Sequence, residues 1–502
     1  MGILIGRERT QRNAKTVRIK QMTKGNNMRK ENDAVKEPVV DESNINGFFV
    51  WKVAFIAAMG GLLFGYDFMV ISGATIFYEK FFDLVGSPQL LGLSVASAPI
   101  GCILGAAFSM FFADRFGRKV LLIWAALLFL VSAVGTAFSF NFTMFNLFRL
   151  VGGAGIGLAA NLSPMYIAEI SPTSYRGKVV TTNQLTIMVG IVVSQIVNLF
   201  IQKHGAATVV ADSALGWNEL YGWRWMFGVE AIPAIGFLVL SFTVPRSPRW
   251  LIKKGLNDEA REVLAMVGGE DYAAQEVADI SSTISSEEVA VVNFKEILEP
   301  RLLKVILLGM FLAIVQQWSG LNSVFAYSHQ IFEDAGFSVS GAMLSLVFQG
   351  MTMLIFCILA MFIVDKVGRK KLMLVGTLGI AITHLLIGLS FHYEQSGIWI
   401  VLLVLVAIAL YALTLAPVMW VLLSEIFPNR VRGVALGISV VTLWVAYLIL
   451  TYTFPIMRES MGTAKTFWVY SAFLFIAFIV IKVALPETKG KSLEQIERDL
   501  LK

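Results

Sequence analysis

Asp67 stands inside a long apolar run, between Tyr66 and Phe68. A carboxylate in the middle of a membrane helix costs about 2.5–3.5 kcal/mol on insertion scales, so an acid kept there is expected to do work. Arg149, in a later apolar run, is its natural counterion. Beside a guanidinium the carboxylate stays ionised; with the guanidinium drawn away, desolvation favours the protonated acid. Such a pair can take up and release a proton as its surroundings change. Amides form a second set. Gln184, Gln316, Gln317 and Asn322 also lie in apolar runs, each able to donate and to accept. Burying one without a partner costs about 1–3 kcal/mol. Bonding between helices, at about 0.6 kcal/mol, explains a lone Gln184 as well as a ligand does. Gln316, Gln317 and Asn322 ask for more, because these positions share a side only if the helix breaks near Gly320.

The elements that must carry these residues are membrane helices. Of the 502 residues, 56% are hydrophobic and 15% charged, where a soluble domain carries roughly 25% charged residues; mean hydropathy is +0.71. Stretches of about 20 apolar residues, enough to cross about 30 Å of hydrocarbon, fall near 50–72, 91–113, 119–140, 144–167, 181–201, 224–244, 303–325, 341–364, 371–391, 398–423, 434–455 and 465–485. The fold class is thus an all-α membrane protein of twelve transmembrane helices. Positive charge collects in alternate loops, at Arg115, Arg118 and Lys119, at Arg176 and Lys178, and at Lys366, Arg369, Lys370 and Lys371. The positive-inside rule then puts both termini in the cytoplasm. The net charge of +6 is explained by these loops and the basic tail, with no nucleic-acid partner. Cys102 and Cys357 are expected as packing residues, and His204, His329, His384 and His392 lack metal-ligand spacing. No nucleophile, metal cluster or cofactor loop suggests an enzyme, so neither a metal nor a cofactor is expected.

The chain repeats itself. Asp114-Arg115-Phe116-Gly117-Arg118-Lys119 matches Asp365-Lys366-Val367-Gly368-Arg369-Lys370; Glu169 with Arg176-Gly177 matches Glu425 with Arg432-Gly433; and Pro245-Arg246-Ser247 after the sixth span answers Pro486-Glu487-Thr488 after the twelfth. A duplication into two six-helix halves follows, the layout of a carrier that rocks one half against the other. The divisions are a basic cytoplasmic tail over 1–47, a first half over 48–245, a linker over 246–302, a second half over 303–486 and a short tail over 487–502. In the linker, Ala260, Val263, Leu264 and Val267 have helical spacing, which predicts short amphipathic cytoplasmic helices under the membrane. The repeated charges Arg118, Glu169, Arg176, Asp365, Arg369, Glu425 and Arg432 are expected to form a gating network. Each exposed pair contributes only about 0–1 kcal/mol, which suits a latch that must reopen at every turnover.

Together with Gly65-Tyr66-Asp67, Arg149 followed by Gly152-Gly153-Ala154-Gly155-Ile156-Gly157, Gln316-Gln317-Trp318-Ser319-Gly320-Leu321-Asn322 and Pro486-Glu487-Thr488-Lys489-Gly490, these repeats resemble the sugar porter family of the major facilitator superfamily. The likeness covers about residues 50–492 and extends to bacterial xylose:proton symporters and facilitative glucose carriers. It implies a major facilitator fold, alternating access, a cell-membrane location and a monosaccharide bound between the halves near the bilayer midplane. It places Arg149 beside Asp67, and Trp420, which follows Pro417, where the family has a floor tryptophan. Phe64 and Trp444 would add aromatic walls. The departures are informative. Ile191 occupies a place where xylose symporters have a second glutamine, Leu443 and Ala326 replace an amide and an aromatic ring, and Arg246 stands where the family commonly has an acid. The first-half charge network is therefore expected to be the weaker.

The resulting expectation is a proton-coupled importer of a hexose or pentose, acting as a monomer with sugar, proton and lipid bilayer as its partners. A facilitative carrier without coupling is the alternative; such carriers have a neutral residue where Asp67 stands. A transporter-like sugar sensor is a third reading, set back by the short C-terminal tail.

Overall fold

A computed structural model describes residues 45–208, 215–288, 299–428, 431–491 and 495–496; most of the tail expected over 1–47 lies outside them. Every regular element among these residues is helical. The first half comprises α1 (Gly47–Phe81), α2 (Pro88–Phe116), α3 (Arg118–Ala137), α4 (Phe142–Ile170), α5 (Thr173–Ala206) and a sixth span of a π-helical turn (Asn218–Gly222), α6 (Trp223–Gly228) and α7 (Ala231–Thr243). The linker carries α8 (Pro248–Lys253) and α9 (Asn257–Glu288). The second half contains a seventh span in three pieces, α10 (Pro300–Gln317), α11 (Leu321–Ala326) and α12 (Ser328–Asp334). It continues through α13 (Val339–Val367), α14 (Arg369–His392), a tenth span in two pieces, α15 (Ile398–Leu413) and α16 (Leu415–Ile426), then α17 (Arg432–Met461) and α18 (Thr463–Ala484).

Among the described residues, twelve helical segments are long and apolar enough to cross a membrane. Several outrun the spans read from the sequence: α1 has 35 residues, about 52 Å at 1.5 Å per residue. Hydropathy registers only the part inside hydrocarbon, whereas a helix continues for as long as its backbone bonds are met. The duplicated loops show why their glycines recur. Gly117 and Gly368 have φ of +84° and +104°, so one residue turns the chain from α2 into α3 and from α13 into α14. Of the glycines of 152–157 on α4, Gly153 and Gly157 meet α2 and Gly152 and Gly155 meet α3; a methyl at Gly153 would overlap the Ala98 carbonyl. Close helix packing is their use.

Within the first half, α1 packs along α5 and α2 along α4; the halves meet where α2 lies against α17 and α5 against α13. These two seams pair the second span with the eleventh and the fifth with the eighth, as a duplicated pair of bundles should. Beneath the first half, Ala260, Val263, Leu264 and Val267 of α9 are buried. The Val267 carbonyl accepts from the Asn46 amide at 2.7 Å, tying the linker to the start of α1.

Candidate functional site

Between the halves lies a cavity of about 1100 Å³. It runs from Asp114, Arg118 and Gly433, at the end carrying the repeated basic loops, inward to Phe64, Gln184 and Trp420. Trp420 is 46% exposed to it. At the opposite end the halves touch. Phe68 stacks on Tyr447 with centroids 5.2 Å apart, Phe64 meets Trp444 at 6.2 Å, and Gln202 Nε2 donates to Ser340 Oγ at 3.1 Å. The cavity therefore opens toward the basic-loop end only.

Its inner wall comes from two broken spans. After Gln317, α10 stops and Gly320, with φ +82°, starts α11 in a new direction; a methyl on Gly320 would press on His384 and Tyr470 at 2.9 Å. The break leaves the Ser319 carbonyl free of its helix, and His384 Nε2 meets it at 2.8 Å. A carbonyl only accepts, so that nitrogen carries the proton. The tenth span breaks at Thr414, with φ −125° and ψ −85°, three residues before Pro417. Proline removes an i−4 bond and clashes with the carbonyl it would have met, so the chain reorganises there.

The two breaks bring the amides together. Gln316 Nε2 donates to the Ala416 carbonyl at 3.3 Å, Gln317 Nε2 to Gln316 Oε1 at 3.2 Å, and Asn322 Nδ2 to Gln317 Oε1 at 2.5 Å. All three are buried. They form a relay directly behind Ala416 and Pro417, which line the cavity. Gln184 and Trp420 already face the open space, while Gln316, Gln317 and Asn322 are bonded to one another and do not line it. Trp444 is buried above Phe64. Ile191 is placed elsewhere: its Cγ2 lies 3.5 Å from the position of a Cβ on Gly350, in the seam between α5 and α13 rather than on the cavity wall.

The charged pair lies in the first half. Arg149 Nη1 donates to Asp67 Oδ1 and Nη2 reaches the Asp67 carbonyl at 3.4 Å; the residues are 2% and 1% exposed. The guanidinium also sits 5.3 Å from the centroid of the Phe227 ring. Sequence reasoning missed a third member. Glu230, at 1% exposure, shares the electrostatic field of Asp67 and Arg149, and its Oε1 has no hydrogen-bond partner among the described residues. It is an acid inside the apolar run 224–244, so the rule that singled out Asp67 applied to it equally. Asp67 sits beside Phe68 and one helical turn from Phe64, so the acid and both gate aromatics share α1.

The repeated charges make two matching clusters, each within its own half. Arg118 holds Glu169 at 2.8 Å and Asp114 at 3.0 Å, and Ser247 Oγ donates to Glu169 Oε2 at 2.5 Å. Arg369 holds Glu425 at 3.0 Å, and Thr488 Oγ1 donates to Glu425 Oε2 at 2.6 Å. Where the first half has Arg246, an exposed partner of Glu259, the second has Glu487, whose Oε1 accepts from the Arg369 amide at 2.9 Å and so caps α14. The first half recovers a contact through the linker, since Lys253 Nζ reaches Asp114 Oδ2 at 2.7 Å. Its central pair is also the more buried, with side chains 8% and 9% exposed against 13% and 20%. Arg432 turns to the Phe427 carbonyl at 3.3 Å, and Arg176 is exposed. The side chain of Asp365 lies outside the described residues.

Residues 53–500 match the family model described as sugar (and other) transporter. The chain is 37% identical over 451 residues to the arabinose-proton symporter of Bacillus subtilis, covering 90% of this chain and 95% of that one. It is 38% identical over 489 residues to the D-xylose-proton symporter of Escherichia coli K12, covering 90% and 96%. Among solved structures, the inward-open xylose transporter XylE of E. coli superposes with a TM-score of 0.79 at 37% identity, over 89% of this chain and 99% of that one.

Proposed function

This chain belongs to the sugar (and other) transporter family, and from that membership we propose that it imports a monosaccharide, a hexose or pentose, together with a proton by alternating access. The observation that carries the reading is the one-sided cavity. It is open at the basic-loop end and closed by Phe68 on Tyr447 at the other, and Asp67, paired with Arg149 of α4, lies on the same helix as the closing ring of Phe68. Relatives named as arabinose-proton and D-xylose-proton symporters support the same cargo class and coupling ion.

Gln184 and Trp420 are the first contacts for a sugar in this state, the amide bonding hydroxyls and the indole stacking on an apolar sugar face. Gln316, Gln317 and Asn322 exchange their mutual bonds for sugar hydroxyls as the broken spans shift and draw Phe64 and Trp444 over the ligand. Ile191 acts through the seam it packs in. Two carboxyls, Asp67 and Glu230, face one guanidinium in a dry pocket, and their charges balance when one carboxyl holds a proton. Exchange of that proton with the cavity accompanies the movement of α1. The clusters around Arg118 and Arg369 brace the ends of their helices; they serve as a latch when the basic-loop end closes and the two meet.

The positive-inside rule supports a reading with the open end and both termini in the cytoplasm and the chain in the cell membrane. Uptake of a labelled sugar panel into proteoliposomes, with and without an inward proton gradient, tests the reading. One hexose or pentose should accumulate above equilibrium only with the gradient. Equilibration of the sugar at the same level with and without the gradient would leave a facilitative carrier.

A further inference from the structure

On the lipid-facing side of the first half, at the end away from the basic loops, lies a second cavity of about 620 Å³. Its walls are Phe81 at the end of α1, Val134 and Phe138 at the end of α3, and Tyr221, Arg224 and Trp225 at the start of the sixth span. All of these are helix ends, so the groove stands at the level where hydrocarbon gives way to headgroups. Phe138, Tyr221 and Trp225 are exposed, the aromatic belt expected at that depth.

Arg224 is the polar end of this groove. Its Nε donates to the Leu220 carbonyl at 3.1 Å, and Nη1 to the carbonyls of Ala137 and Ser139 at 2.8 and 2.6 Å, which caps the last turn of α3. The guanidinium lies 4.4 Å from the centroid of Trp223 and 4.8 Å from that of Phe81. Carbonyls and rings hold its orientation without neutralising its charge. The acid in the neighbouring turn, Glu219, is paired with Lys80 at 3.4 Å. Nη2 is left with no hydrogen-bond partner among the described residues.

We propose that this groove is a binding site for one anionic phospholipid, its phosphate on Arg224 Nη2 and an acyl chain along Val134, Phe138 and Trp225. A fixed cation above an apolar trough matches a molecule that joins an anion to a hydrocarbon tail. A choline headgroup would bring its own cation to the same place and lose part of the attraction. One arginine near a membrane surface is worth about fivefold in affinity for an anionic lipid.

Native mass spectrometry of the purified full chain, titrated with phosphatidylglycerol or phosphatidylcholine, tests the site. Wild type should retain one phosphatidylglycerol, about fivefold more tightly than phosphatidylcholine. R224Q should abolish that preference. G228L leaves Arg224 in place and fills the trough; a Cβ there meets only the Ala137 Cβ, at an ordinary 3.4 Å, so the variant decides the matter even if loss of the α3 cap unfolds R224Q. It should lose the retained lipid. Equal retention of the two lipids by wild type, or unchanged retention by G228L, would mean ordinary annular lipid and overturn the proposal.

Discussion

The two halves descend from one pattern yet keep different things inside. The first half buries charge, Asp67 with Arg149 and Glu230, next to a continuous α1. The second, among its described residues, buries no acid, lysine or arginine; it links the amides Gln316, Gln317 and Asn322 at a span broken by Gly320. An ion pair in a low-dielectric interior holds its geometry until its charge changes; neutral amides trade partners at small net cost. The first half is therefore suited to sensing a proton and the amide relay of the second, with Gln184 of the first on the cavity wall, to grasping hydroxyls, while the duplicated clusters at the basic-loop end keep the shared mechanical part.

That division can be broken one side at a time. The largest effect is expected from Asp67→Asn, which keeps the shape of the pocket and removes its titration: accumulation against a gradient should vanish while sugar exchange persists. Surviving concentrative uptake would move the coupling role elsewhere. Next, Gln317→Ala leaves Gln316 Oε1 and Asn322 Nδ2 without their shared partner and should weaken sugar affinity on the order of tenfold in a chain that still folds; unaltered affinity by calorimetry would remove the amides from the site. Glu169→Gln and Glu425→Gln compare the clusters. The first-half pair is the more buried, so Glu169→Gln should be the more destabilising, by about 1–3 kcal/mol, and the reverse order of Tm values would show that the Glu487 cap outweighs burial.

Glu487 itself gives the smallest effect. Burial pushes its carboxyl up, but the amides of Lys489, Arg369, Lys370 and Lys371 outweigh it and hold the group below its ordinary value of 4.5. A carboxyl lowered on folding adds stability that is present above pH 4.5 and is lost as pH falls through the folded value. Glu487→Gln should therefore lower Tm slightly at neutral pH, with the gap closing in acid. A gap independent of pH would deny the charge its part in the cap.

Much of this was legible in the residues. Apolar runs of span length announce membrane helices because lipid leaves the backbone no other partners, and the repeated Gly-Arg-Lys turns announce the duplication. The spacing of Gln316, Gln317 and Asn322 required a break near Gly320, and α10 ends there. The break at Thr414 was harder to read, since Pro417 marks a disturbance without saying how far upstream the chain yields. Ile191 shows a different limit. A helix apolar on nearly every side carries no stripe to say which face meets the cavity, so only packing could reveal that it sits in the α5–α13 seam. Glu230, an acid inside an apolar run like Asp67, was legible by the same rule.

Proton movement driven by sugar alone tests the central claim most directly. With the chain in de-energised vesicles at equal pH and a pH electrode in the medium, adding the transported sugar should alkalinise the medium as protons enter with it, and Asp67→Asn should abolish the signal. Sugar uptake that leaves the external pH unmoved would contradict the account.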